Sequence, residues 1–190
     1  KIASIIKSDV DEVYVGSSTS INLFKLIKSI LQSNKSIKNI STDNLNFPSD
    51  KYICELVAKD FNIEFNFLNY ESDLMADIEK LKEFIIKKRG IVVLSHVAFK
   101  SSYRYPIEEI SKFCKDNNTI VIWDLSHSVG AVNIDMGSNQ VDYAVGCTYK
   151  YLNGGPGSPA FIYVREQELR KLKSPIRGWF SHNKPFEYSN

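Results

Sequence analysis

The sequence predicts an α/β domain of three layers, in which helices cover both faces of a mostly parallel β-sheet. Three observations support this prediction. Helical and strand patterns alternate along nearly the whole chain. Residues 91–94 and 120–123 are continuous apolar runs, as expected of strands that are covered on both faces. The length of 190 residues suits one domain with a sizeable core.

The elements of the first half follow from local signals. Residues 13–15 are a short predicted strand, and the hydroxyl-rich segment 17–20 provides N-cap residues for a helix with an apolar face. A strand is predicted at residues 37–40. Pro48 then fits the first turn of a second helix. Residues 63–67 alternate with a period of two, which is typical of a strand.

The second half continues the alternation. An apolar stripe predicts a helix that ends near Gly90, and its members are Leu74, Ile78, Leu81 and Ile85. After the strand at 91–94, Pro106 starts a further predicted helix. The remaining strands are predicted at residues 120–123, 141–145 and 160–164. From about Lys171 the chain has the character of a loop.

Composition argues against several classes of function. The net charge is only +2 and the basic residues are scattered, so no nucleic acid or membrane partner is expected. The apolar stretches are far shorter than the roughly 20 residues of a membrane span. Three widely separated cysteines favour reduced thiols and a cytoplasmic setting, and the three histidines lack the spacing of a metal site. The chain begins at Lys1, so we expect a piece of a longer protein.

Polar residues follow four of the predicted strands, where ligands bind in open α/β sheets. These residues are Thr19 and Ser20, Ser95 and His96, Asp124 and His127, and Tyr149 and Lys150. Lys150 and Asp124 together suit an enzyme that uses pyridoxal 5′-phosphate (PLP). A lysine can bond covalently to the cofactor aldehyde, and a carboxylate can keep the pyridine nitrogen protonated.

Plainer interpretations of these residues remain open at this level. The turn at residues 16–20 could seat a phosphate, but a simple Ser/Thr N-cap is the commoner arrangement. Asp124 could cap a following helix, and Lys150 taken alone would be a surface lysine. His127 could be a core histidine with its hydrogen bonds satisfied, and Phe47 could belong to the ordinary core.

Several segments closely resemble kynureninase. They are residues 19–23, 46–50, 124–130, 146–157 and 178–182, and they follow the order of that family. The Tyr-Lys-Tyr-Leu-Asn-Gly-Gly segment at 149–155 is highly specific. The Gly-Trp-Phe segment at 178–180 separates the family from the related cysteine desulfurases.

The resemblance implies a PLP-dependent transferase-like large domain of a homodimeric enzyme. Such an enzyme hydrolyses L-kynurenine, or 3-hydroxykynurenine, to anthranilate or 3-hydroxyanthranilate and L-alanine in tryptophan catabolism, the kynurenine pathway that leads to NAD biosynthesis. Lys150 would carry the cofactor, Asp124 would pair with its ring nitrogen, and Phe47 would stack on the ring. Tyr149 would help to hold the phosphate and is a candidate proton donor. The other implied cofactor residues are Thr19 and Ser20 at the phosphate, Asp50, Ser95 and His127 along the pocket, and Trp179 across the dimer interface.

The sequence departs from the family's pattern in two ways, and two alternative functions remain open. Residues 1–190 would be a partial large domain without the family's N-terminal segment and C-terminal small domain, so the arginine that should clamp the substrate carboxylate is expected elsewhere. One rival is another PLP enzyme of the same superfamily, such as a cysteine desulfurase or an aminotransferase. The other is a non-catalytic fragment that acts as a binding or structural module.

Overall fold

The computed structural model describes residues 1–178, 181, 184, 186 and 187. Among them, seven strands form one sheet in the order β1-β7-β6-β5-β4-β2-β3. The strands are β1 (Val13–Val15), β2 (Asn39–Asp43), β3 (Glu64–Leu68), β4 (Ile91–Ser95), β5 (Ile120–Asp124), β6 (Tyr143–Cys147) and β7 (Ala160–Val164). Strand β7 runs antiparallel to both of its neighbours, and the other paired strands are parallel. The predicted mostly parallel sheet is confirmed.

Helices cover both faces of this sheet. They are α1 (Ile2–Ile6), α2 (Thr19–Ser33), α3 (Pro48–Phe61), α4 (Ile78–Lys87), α5 (Ile107–Asp116) and α6 (Glu166–Leu169), with a 3₁₀ turn at Val10–Glu12. Alternate residues of β4 point into two separate cores: Val92 and Leu94 pack in the core that includes α4 and α5, and Ile91 and Val93 pack in the core that includes α2 and α3. The three-layer prediction is therefore confirmed.

Helix boundaries follow from capping. The Ser18 side chain accepts a hydrogen bond from the backbone N–H of Ile21 at the start of α2, and Pro48 occupies the first turn of α3. The Asp77 side chain accepts a hydrogen bond from the N–H of Lys80 and starts α4 there. Leu74 was wrongly included in this helix, because it precedes the cap and is 66% exposed.

Two strands lie further along the chain than predicted. Strand β2 begins at Asn39 rather than at residue 37, and β6 covers Tyr143–Cys147 rather than 141–145. The shift has a physical origin, since Ile37 and Val141 are buried beside the sheet without being paired in it. Helix α1 was not predicted, because five residues give too short a periodic pattern.

Parallel strands end at one edge of the sheet, and this edge positions the polar residues. Ser95 at the end of β4 lies opposite Asp124 at the end of β5, and Asp124 lies opposite Val145 of β6. None of the helices in the described ranges has the length and apolar character needed to span a bilayer.

Candidate functional site

Asp124 provides a buried carboxylate at this edge. It is the last residue of β5 and is 3% exposed. Its Oδ1 atom accepts a hydrogen bond of 2.8 Å from the N–H of Ser126. Residues 125–132 form turns rather than a helix, so Asp124 does not cap one. The carboxylate ends a rigid strand, which fixes its position.

Lys150 lies in a tight turn after β6. Its Nζ atom is 5.4 Å from the centroid of the Phe47 ring and 5.0 Å from that of Tyr149. Backbone hydrogen bonds hold the turn, from Asn153 N–H to the Lys150 carbonyl at 3.0 Å and from Gly154 N–H to the Thr148 carbonyl at 2.8 Å.

Gly130 allows the neighbouring chain to approach this turn. It has a φ of +86°, and a Cβ atom there would lie 2.7 Å from the carbonyl oxygen of Tyr151. The residue therefore needs both the left-handed conformation and the missing side chain of glycine. This contact packs the turn after Asp124 against the turn that carries Lys150.

Two residues reach the same place at the start of α3: Phe47 directly precedes the helix, and Asp50 lies in its first turn. Asp50 is 1% exposed, and its Oδ2 atom has no hydrogen-bond partner among the described residues. Burial raises the pKa of Asp50 well above its usual range, and the nearby charge of Asp124 raises it further, whereas the charge of Lys150 acts in the opposite direction. The site therefore contains a second carboxyl group, whose ionised form is disfavoured by burial and by the charge of Asp124.

The amino-terminal end of α2 closes the site on another side. Ser17 has a left-handed backbone with a φ of 55°, and Ser18 caps the helix. The first N–H groups of a helix lack partners within it and favour an anion, and the hydroxyls of Thr19 and Ser20 lie in that first turn. The N-cap and the phosphate-seat interpretations of this turn are thus compatible.

One cavity of about 260 Å³ joins these features. Larger cavities of about 490 Å³ and 690 Å³ lie elsewhere, so chemistry rather than size identifies the site. Of the residues predicted from the sequence, seven line this cavity: Thr19, Ser20, Phe47, Asp50, Asp124, Tyr149 and Lys150. The cavity is also lined by Ser17 and Ser18, which belong to the turn at residues 16–20 that was considered as a phosphate seat. Sequence reasoning missed five further lining residues: Ser49, Ser126, Gly157, Ser158 and Ala160.

This lining does not include Ser95 and His127, two residues that were predicted for the cofactor pocket. Ser95 is 1% exposed and donates a hydrogen bond of 2.6 Å to Oδ1 of Asn46. The His127 ring lies 6.1 Å from that of Phe47, centroid to centroid. Trp179 lies outside the described residues.

His127 is not a core histidine with satisfied hydrogen bonds. Its Nδ1 atom is buried without a hydrogen-bond partner in the part of the chain that the structure describes. Burial lowers the pKa of His127, and the charge of Lys150 lowers it further, whereas Asp124 opposes both. A neutral imidazole therefore lies beside the Phe47 ring at neutral pH.

The set of donors fits PLP. The cavity offers an amine for an aldehyde, a strand-end carboxylate for a ring nitrogen, an aromatic face, and helix N–H groups with hydroxyls for a phosphate. The unpartnered Oδ2 of Asp50 is a further polar atom to which a bound group could bond.

Comparison with known proteins shows which family and which solved structures the chain is similar to. The model of the aminotransferase class-V family matches residues 1–184. Kynureninase of Pseudomonas fluorescens is 38% identical over 98% of this chain, which spans 44% of that protein. Among solved structures, a cysteine desulfurase of Thermococcus onnurineus has a TM-score of 0.80 at 20% identity, over 93% of this chain and 44% of the other. The C-DES protein, in a mutant with glycine covalently linked to its PLP cofactor, has a TM-score of 0.83 at 18% identity, over 94% and 47%.

Proposed function

The chain belongs to the aminotransferase class-V family, and from that premise we propose that it forms the cofactor-binding part of a PLP-dependent kynureninase. The reaction is the hydrolysis of L-kynurenine, or of 3-hydroxykynurenine, to L-alanine and the matching anthranilate. One observation carries the proposal: Lys150 and Asp124, which follow different strands, line the same cavity together with Phe47. The 38% identity to a kynureninase supports the choice of substrate.

Each residue has a defined task in this proposal. When bound, PLP supplies an electron sink for negative charge at the substrate α-carbon. Asp124 keeps the ring nitrogen protonated. Phe47 covers the ring face, and Thr19 and Ser20 bind the phosphate. Asp50, Ser95 and His127 support the pocket, and Trp179 contacts a cofactor site across a dimer interface.

Lys150 and Tyr149 move protons. Lys150 would hold the cofactor covalently, and its amine would also be placed to carry a proton at the substrate α-carbon. Tyr149 is 48% exposed, so its hydroxyl can reach a substrate that enters from solvent. Proton transfer by a positioned side chain contributes roughly 100- to 10,000-fold to rate.

The working enzyme is proposed to be a cytoplasmic homodimer. Three buried, unpaired cysteines, Cys54, Cys114 and Cys147, suit a reducing compartment. Two exposed tyrosines, Tyr149 and Tyr151, flank Lys150 and offer aromatic surface for a second subunit.

Release of fluorescent anthranilate tests the function directly. The complete natural protein that contains this chain is incubated with PLP and with L-kynurenine or 3-hydroxykynurenine. Sustained release that Lys150→Ala abolishes supports the proposal. A protein that binds PLP and leaves both substrates intact, yet releases sulfide from cysteine, would place it among the desulfurases instead. Folded protein without any PLP absorbance band would favour a non-catalytic module.

A further inference from the structure

A third buried carboxyl group, that of Asp43, has no task in the chemistry proposed above. Asp43 is the last residue of β2 and is 2% exposed. Its Oδ2 atom accepts hydrogen bonds from the hydroxyls of Tyr105 at 2.7 Å and Tyr70 at 3.2 Å. Its Oδ1 atom accepts hydrogen bonds from the N–H groups of Leu45 at 3.1 Å and Asn46 at 3.0 Å. One carboxylate therefore joins two tyrosines to the loop that precedes Phe47.

Asn46 extends this arrangement to the cofactor site. Its Oδ1 atom accepts hydrogen bonds from the N–H of Phe47 at 2.8 Å and from the Ser95 hydroxyl at 2.6 Å. Its amide donates to Oγ1 of Thr42 at 2.9 Å and to the carbonyl of Val93 at 3.1 Å. The backbone of Phe47 is thereby tied to the ends of β2 and β4.

The two tyrosines anchor the carboxylate in the core. Tyr105 is 1% exposed and lies in the loop before α5, where its ring is 6.3 Å from that of Trp123. Tyr70 is 6% exposed and follows β3. The hydroxyls come from two other loops of the chain, so together they fix Asp43 more firmly than its own strand end could.

Burial makes the charged form of Asp43 costly. It raises the pKa of Asp43 to about 6, although the hydrogen bonds from Tyr105 and Tyr70 act in the opposite direction. Hydrogen bonds to a carboxylate are shorter and stronger than hydrogen bonds between neutral groups. A buried carboxylate therefore holds its partners in place firmly, although its burial lowers the stability of the fold.

We infer that Asp43, Tyr70 and Tyr105 form a positioning cluster that fixes the loop carrying Phe47 and so sets the affinity of the site for PLP. The inference rests on the proposed function, since it assumes that Phe47 contacts the cofactor. None of the three residues lines the cavity, so they act through the loop and not by contact with the bound group.

Two matched substitutions separate this role from general stability. Tyr105→Phe removes the hydroxyl that donates a hydrogen bond to Asp43, and it keeps the aromatic ring in the core. Tyr143→Phe is the control. Tyr143 is 4% exposed, and its hydroxyl also donates to a carboxylate, Glu168 Oε2 at 3.0 Å. It is the first residue of β6, whereas the cavity lies beyond the other end of that strand.

The measurement is the dissociation constant for PLP, obtained by absorbance titration of the complete natural protein, with the unfolding midpoint of each cofactor-free variant recorded alongside. Tyr105→Phe is expected to weaken binding by about tenfold, since the lost bond is to a charged group. Tyr70→Phe, which removes the longer bond, should weaken it by a smaller factor. Tyr143→Phe should stay within about twofold of the unsubstituted protein.

Each outcome decides the matter. Weaker binding in Tyr105→Phe and Tyr70→Phe, at a stability no lower than that of Tyr143→Phe, supports the positioning cluster. Unchanged affinity in both variants overturns it while leaving the proposed function intact. An unsubstituted protein that binds no PLP overturns the proposed function, and this inference with it.

Discussion

The ammonium nitrogen of Lys150 lies 5.4 Å from the centre of the Phe47 ring, although 102 positions of sequence separate them (150 − 47 − 1). Lys150 follows β6 and Phe47 follows β2, and two strands, β5 and β4, lie between these strands in the sheet. The contact places the reactive amine and a flat aromatic face on the same cavity. The sheet order thus assembles the two parts of the site from distant segments.

Lys150 is predicted to bind PLP covalently. The reason is its primary amine beside Phe47 in the cavity that also holds Asp124. Borohydride reduction followed by peptide mass mapping should place a pyridoxyl group on Lys150. The control is Lys112→Gln, whose side chain is 60% exposed on α5 and should keep full labelling. Labelling of a different lysine in the unsubstituted protein would contradict the assignment.

Asp124→Asn is predicted to retain some cofactor and to lose most turnover. A carboxylate in contact with a protonated ring nitrogen raises the pKa of that nitrogen by about 1–3 units. The loss of turnover should therefore be roughly 10- to 1,000-fold. The measurement is kcat for kynurenine in the complete natural protein.

Asp50→Asn is the matched comparison for that variant. Burial and the charge of Asp124 raise the pKa of Asp50 and so disfavour its ionised form. An uncharged amide should therefore cost less activity there than at Asp124. An equal or larger loss in Asp50→Asn would show that the charge of Asp50 is needed and would reverse the assignment of the two carboxyl groups.

The residues that the sequence did not predict show where pattern reasoning ends. Asp124 and Lys150 could be predicted because each follows an apolar run. Ser158 and Ala160 could not be predicted, because their place in the cavity depends on β7 running antiparallel to β6, which pairs Ala160 with Cys147. Strand direction is a property of tertiary structure, and the apolar run at 160–164 carries no sign of it.

Hydrogen bonds between buried side chains could not be predicted from the sequence either. Asp43 appears in the sequence as one acid after a strand, and its bonds to Tyr70 and Tyr105 span 27 and 62 positions. Phe47 and Asp50 were found through the resemblance alone, since on spacing Phe47 fits an ordinary core position. Local patterns predict elements well, and they do not predict which distant side chains meet.

Asp43 is predicted to make stability depend on pH between about 4 and 6. Its pKa in the folded chain is raised from 3.8 to about 6, so the folded state binds more protons than the unfolded state in this window. Stability contributed by this group is therefore present at low pH and is lost as pH rises toward 6, by roughly 1–3 kcal/mol in total.

The comparison with Asp43→Asn isolates this effect. The pKa of His96 is lowered to about 4 by burial, so His96 contributes a pH dependence of the opposite sign over a similar window. It is common to both proteins and cancels in the difference. Denaturant unfolding at pH 4, 5, 6 and 7 should show the variant gaining relative stability as pH rises. A constant difference would show that the pKa of Asp43 is not raised.

The exposed tyrosines beside Lys150 are predicted to lie in a dimer interface. Tyr149 and Tyr151 are 48% and 52% exposed, and aromatic residues of this kind are common interface anchors. Tyr151→Asp should weaken the dimer at least tenfold in sedimentation experiments. Ile86→Asp, at a residue 46% exposed on α4, is the control and should not. A monomeric complete protein that binds PLP normally would contradict the prediction.

Residues 1–190 expressed alone are predicted to bind PLP and not to turn over kynurenine, whereas the complete natural protein does both. A substrate carboxylate needs a cationic clamp, and no arginine is among the described residues that line the cavity. Arg104 lines a different cavity together with His96, and Arg177 is exposed. Misplacement of a substrate by about 1 Å can cost roughly a hundredfold in rate, and a missing clamp should cost more. Anthranilate fluorescence measures both proteins, with PLP absorbance as the check that the shorter one is folded. Sustained turnover by residues 1–190, lost again in Arg177→Gln or Arg104→Gln, would show that the clamp lies within this chain after all.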